Sequence, residues 1–206
     1  SARNDGSEEF RGSGKQPKLN KNGEDMAEFY ENPLCLRYAS DEMKRIFSND
    51  KKFSTWRKLW LVLAESEKEL GLDITDAQLD EMRAHLTDID YDKAKEYEIL
   101  LRHDVMAHLR AFCDLCPTAK PIVHLGATSC YVGDNTDVIV MREGLLRIRE
   151  LLLNAIKAVS DFAEKYKSQI TLAYTHFQSA QPTTVGKRAT LWLQDLIFDL
   201  ENVLYY

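Results

Sequence analysis

One histidine stands out by its company. Residues 175–188 read THFQSAQPTTVGKR, and His176 lies among Thr175, Gln178, Gln181, Thr183 and Thr184 rather than among apolar side chains at helical spacing. A histidine in a polar pocket near a helix start is suited to proton transfer or to holding an anion. A structural task as a hydrogen-bonded loop histidine is equally open from the residues alone. Pro182 is placed to open the following helix, where its missing N–H removes no hydrogen bond.

Three further strings carry polar and ionisable groups. Residues 101–108 read LRHDVMAH, residues 124–137 read HLGATSCYVGDNTD, and residues 36–40 read LRYAS. On a helix, Asp104 and His108 share a face while Arg102 and His103 point elsewhere, which by itself describes a charged helix surface with one ion pair. Two histidines five apart are not a helical metal pair. Thr128 and Ser129 follow Gly126 and precede a long helical pattern. Hydroxyls and N–H groups there suit a carboxylate, and equally suit plain helix initiation with Asp134 or Asn135 as N-cap. Arg37 alone reads as an exposed surface arginine. Lys187 and Arg188 suit either anion contact or helix-surface charge, and no site role is assigned to them.

Taken together, the four strings resemble those of the adenylosuccinate lyases, in the fumarase/aspartase superfamily. They stand in the family's order from about Asn32 to the last residue, and four short motifs in register argue against chance. The resemblance implies an all-α fold, an N-terminal helical domain leading into the long helices of a central bundle. It implies a β-elimination that breaks a C–N bond, releases fumarate and leaves AMP or the analogous carboxamide nucleotide. His176 matches the general acid, which a nearby carboxylate should keep protonated; the motif itself holds no such carboxylate. Arg102, His103 and Asp104 match positions lining the nucleotide site, with His103 near the substrate carboxylates or phosphate and counted with His176 as a catalytic residue. The Thr128–Ser129 pair matches contacts to the succinyl or fumarate carboxylates, and Arg37 and Tyr38 match phosphate contacts. The Ser-rich loop that supplies the family's general base is not among these 206 residues. The resemblance also implies a homotetramer with sites drawn from several subunits; a cytoplasmic setting is expected, and no cofactor or metal is assigned.

Composition sets bounds consistent with this. Hydrophobic residues make up 44% and charged residues 29%, ordinary for a globular chain, and the formal charge of −6 argues against a general nucleic-acid binder. No apolar run is long enough to span a bilayer, and no charged-then-apolar leader opens the chain, which argues against secretion. The four cysteines, Cys35, Cys113, Cys116 and Cys130, read as free thiols. Cys113 and Cys116 form a C-x-x-C, but the second pair needed for a structural zinc is missing.

The elements that must position these groups are helical almost throughout. Residues 1–25 are polar and expected to be a disordered tail, followed by a helical domain over 26–133 and the start of a bundle over 134–206. Trp56, Leu59, Trp60, Leu63 and Leu70 share a helical face with Gly71 as its stop. Thr75 and Gln78 form a capping-box pattern. The spacing of Ala94, Tyr97, Leu101, Val105, His108 and Phe112 predicts one helix over 91–113. A break at 118–131 precedes a helix of more than thirty residues over about 135–167, and a last helix begins near Pro182. That last helix shows no stop signal, and the apolar stripe from Val138 to Phe162 needs more partners than these residues offer. The chain is therefore expected to belong to something larger, either truncated or completed by other chains.

Overall fold

The computed structural model describes residues 32–205; the tail expected over 1–25 lies outside the described residues. The chain divides into two units, residues 1–40 and residues 41–206. In the first, Leu34–Tyr38 forms one π-helical turn. Asn32 opens it, its side-chain oxygen accepting from the Leu34 N–H at 2.9 Å.

The second unit runs α1 (Asp41–Ile46), α2 (Asn49–Glu69), α3 (Asp76–Ala84), α4 (Tyr91–Leu101), α5 (Asp104–Leu115), α6 (Ser129–Lys165), β1 (Ile170–Thr175), β2 (Gln178–Thr184) and α7 (Val185–Tyr205). The fold is all-α apart from one hairpin. The expected helix signals in the α2–α3 stretch are realised. Gly71, at φ +97°, ends α2, with its N–H on Lys68 O and that of Leu72 on Glu67 O, both at 3.0 Å. This left-handed cap satisfies carbonyls that would otherwise lack partners. Thr75 and Gln78 form the reciprocal capping box of α3.

Two expectations are corrected. The pattern over 91–113 is two helices, not one: Arg102 adopts φ 51° and ψ 39° and ends α4, and His103 starts α5. The apolar steps continue across the break, so periodicity alone does not reveal it. Pro182 does not open the last helix. It sits in β2 opposite Leu172, and α7 begins after Thr184, whose hydroxyl accepts from the Lys187 N–H at 3.0 Å. A two-stranded ribbon has free edges, where a residue without an N–H is tolerated.

The core lies among α2, α3, α5, the turn before α6 and the start of α6. Trp56, Trp60, Met82, Phe112, Cys116 and Val132 are fully buried there. Trp60 stacks on Phe112 with ring centroids 6.0 Å apart. Burying such a side chain contributes about 1.5–3 kcal/mol. Buried Arg57 is satisfied by the carbonyls of His85 and Asp88 and lies over the Phe112 ring. The C-x-x-C falls inside this core. Burial pushes the Cys113 thiol up to about 11 and the Cys116 thiol up to about 12, so both stay protonated and unreactive.

The expected long helix is α6, 37 residues, which starts six residues earlier than Asn135. It packs along α7 and leaves Val138, Met141, Ile148 and Phe162 exposed. No helix among the described residues is long and apolar enough to cross a membrane.

Candidate active site

The α4–α5 break builds the first part of the site. Arg102 in the left-handed region reverses the chain, a conformation that costs a non-glycine residue energy and clusters at functional positions. His103 is then extended, and its Nδ1 accepts from the Met106 N–H at 3.4 Å as the N-cap of α5. The same nitrogen lies 3.7 Å from Asp104 Oδ1. Both contacts fall on this one nitrogen. Arg102, His103 and Asp104 are all exposed.

The turn before α6 builds the second part. Thr128 is the N-cap of α6, extended at φ −104°, and its side chain makes no capping hydrogen bond. The Tyr131 N–H donates to Thr128 O at 3.0 Å, but the N–H groups of Ser129 and Cys130 meet no capping side chain, and with the Thr128 and half-buried Ser129 hydroxyls they face the positive end of a long helix, where an anion is favoured. Ser129 and Asp104 line one shallow depression of about 200 Å³, with Lys52, Trp56, Asp134 and Asp137. Three carboxylates against one lysine make this depression itself acidic, fitted to hydroxyl or amino groups. The anion-favouring element is the helix end beside it.

A histidine without an assigned role in the sequence joins this cluster. His124, at φ 66°, is half-buried, and its Nδ1 accepts the Trp60 indole N–H at 2.9 Å. An accepting Nδ1 places the proton on Nε2 and fixes the ring. Burial, with His103 close enough to add its effect, lowers the His124 pKa below the ordinary histidine value. His124 heads the HLGATS string, but its partner is 64 residues away, so no local pattern marks it.

His176 is placed elsewhere. It and Phe177 are the two turn residues of the β1–β2 hairpin, at φ 52° and 62°, closed by the Thr175–Gln178 pair. Two successive left-handed residues are what a tight two-residue hairpin with the native strand twist requires. The His176 side chain is exposed and has no hydrogen bond or ion pair among the described residues. Arg188 ties α7 to the hairpin by donating to Leu172 O at 3.1 Å. The fold thus gathers Asp104 with Ser129 and His103 with His124, while His176 projects from the hairpin tip. In the other unit, Arg37 and Tyr38 close the π-helical turn with both side chains exposed.

The lyase family model matches residues 38–205 of this chain. The chain belongs to the lyase family. It is 52% identical to the adenylosuccinate lyase of Saccharomyces cerevisiae over 176 residues, 84% of this chain and 36% of the relative. It is 49% identical to that of Schistosoma mansoni over 179 residues, 87% of this chain and 37% of the relative. This lyase chain thus spans little more than a third of the length of the curated relatives it matches. Among solved structures, the fold is shared with β-carboxy-cis,cis-muconate cycloisomerase from Acinetobacter calcoaceticus, at TM-score 0.75 and 19% identity over 84% of this chain and 42% of that one. It is also shared with a fumarate lyase from Mesorhizobium, at TM-score 0.73 and 21% identity over 81% of this chain and 40% of that one. At these identities the likeness concerns the fold alone.

Proposed function

We propose that this lyase chain is the N-terminal part of an adenylosuccinate lyase, acting in purine biosynthesis on adenylosuccinate and on the succinyl-carboxamide ribonucleotide. The observation that carries the reading is the 52% identity to the yeast enzyme across most of this chain. The site geometry supports it. A substrate with several negative charges needs N–H and cationic groups, and the uncapped start of α6 and the Arg102–His103 break supply groups of that kind.

In this reading a base removes a proton from the carbon next to a carboxylate. The C–N bond breaks, its electron pair leaving with the nitrogen while the C–H pair becomes the new C=C of fumarate. His176 donates the proton that the departing nitrogen takes up. Thr128 and Ser129 hold the fumarate carboxylates, Arg37 and Tyr38 the phosphate, and Arg102, His103 and Asp104 the nucleotide. His124, its ring fixed by Trp60, presents Nε2–H as a further donor. The exposure of His176 on its hairpin suits a group completed by other subunits, and the full-length protein is read as a cytoplasmic homotetramer. The 206 residues alone do not turn over substrate, because the base-bearing loop is not among them.

The test is product analysis with the full-length protein offered adenylosuccinate, argininosuccinate and malate separately. Fumarate with equimolar AMP from the first substrate alone supports the reading. Turnover of either of the others in its place overturns it.

A further inference from the structure

The face of α5 that carries Met106, Arg110 and Cys113 looks onto a depression of about 320 Å³, walled also by Tyr97 of α4 and by Lys120 of the turn that follows α5. None of the residues named above for substrate lines it. Its walls are apolar at Met106, Leu109 and Val123, and its charged groups are unevenly matched. The acid, Asp114, already accepts from the Tyr97 O–H at 2.7 Å. The two cations, Arg110 and Lys120, are exposed, and neither side chain has a hydrogen bond or ion pair among the described residues. Both cations line the same depression, together with Tyr97 and Cys113. Two like charges around one cavity repel, and an anion between them relieves the repulsion. Apolar walls with a few convergent polar groups are the usual build of a small-ligand site.

We propose that this depression binds a small organic anion with a flat apolar body, of the class of aromatic carboxylates. The ring rests on Met106, Leu109 and Val123, and the carboxylate lies between Arg110 and Lys120. Occupancy is felt at His103, because Met106 lends its side chain to the depression while its backbone N–H is the donor held by His103 Nδ1.

The experiment is a calorimetric titration of the full-length protein with 1-naphthoate, run with the substrate site saturated by AMP and fumarate. Saturable binding is expected, with Kd of about 1 mM or tighter for a ligand of this size. Arg110→Glu with Lys120→Glu should weaken binding at least about tenfold, as loss of charge-assisted contacts implies. The uncharged 1-naphthamide should bind the unaltered chain correspondingly weakly. Should the double Glu variant fail to fold, Arg110→Gln with Lys120→Gln carries the same expectation. Absence of saturation below about 10 mM overturns the proposal. So does equal affinity for naphthoate and naphthamide, which would mean apolar adsorption only.

Discussion

The indole N–H of Trp60 donates to Nδ1 of His124 across 2.9 Å, joining the centre of α2 to the turn that leads into α6. Trp60 is buried and stacked on Phe112, so the donor cannot turn away. The core thereby sets which nitrogen of His124 carries the proton at the edge of the candidate site. Trp60→Phe keeps most of the ring packing and removes the donor. It should cost about 1–3 kcal/mol for the unmade hydrogen bond and the reduced ring. Chemical denaturation measures this, and an unchanged midpoint would count against the bond.

A second histidine is expected to make stability pH-dependent. His108 stacks on Phe53 at 3.6 Å and meets the edge of Trp56. Burial holds its pKa down to about 4, from an ordinary 6.5; the cations Arg57 and Lys52 add to this and Asp104 opposes it. The unfolded chain then binds the proton at higher pH than the folded one. Stability is fully present above about 6.5 and is lost as pH falls toward about 4. His108→Phe keeps a ring in the stack without a titrating group, and should flatten that part of the profile. An identical profile in the variant would contradict the assignment.

Gly186→Ala tests the α6–α7 contact. A Cβ there would collide with the Ala163 carbonyl and lie 2.6 Å from Lys167 Cα, both backbone atoms that cannot rotate aside. Overpacking of this kind costs about 1–3 kcal/mol or more. A thermal melt should show a clear fall in Tm, and an unchanged Tm would mean that the helices are not so close.

Much of this architecture was readable because its signals are local. Gly71 and the Thr75–Gln78 pair act within one turn of chain, and the stripe from Val138 to Phe162 repeats along the whole of α6. The missed features depend on competition. The stripe from Ala94 to Phe112 keeps helical spacing across Arg102, so only the left-handed backbone at that residue, offset by the cap that His103 provides, divides the two helices. His176 and Phe177 lack the Gly or Asn that usually marks a tight turn, and strand pairing on either side imposes the conformation. His124 was hidden for another reason: its role rests on a tryptophan distant in sequence. Within residues 41–206, the residues named from motif resemblance lie at two places, the starts of α5 and α6 and the hairpin tip, while Arg37 and Tyr38 belong to the π-helical turn of the other unit.

Arg37 offers a test in the other unit. It is exposed in the π-helical turn, so Arg37→Ala should leave folding intact. In the full-length protein it should weaken AMP binding roughly tenfold or more, since a charge-assisted contact is worth about 1.5–3 kcal/mol. Calorimetric titration with AMP reads this directly, and unchanged affinity would remove Arg37 from the phosphate site.

The most direct measurement is fumarate release from saturating adenylosuccinate by the full-length protein and its His176→Gln variant, with Tm recorded on the same preparations. Glutamine can still donate a hydrogen bond but cannot deliver a proton, and His176 is exposed at the hairpin tip among the described residues. The wild type should release fumarate with equimolar AMP. The variant should stay folded and bind substrate, with kcat lower by about 10²–10⁴-fold. A folded variant turning over at the wild-type rate, or a wild type that releases no fumarate, would contradict the account.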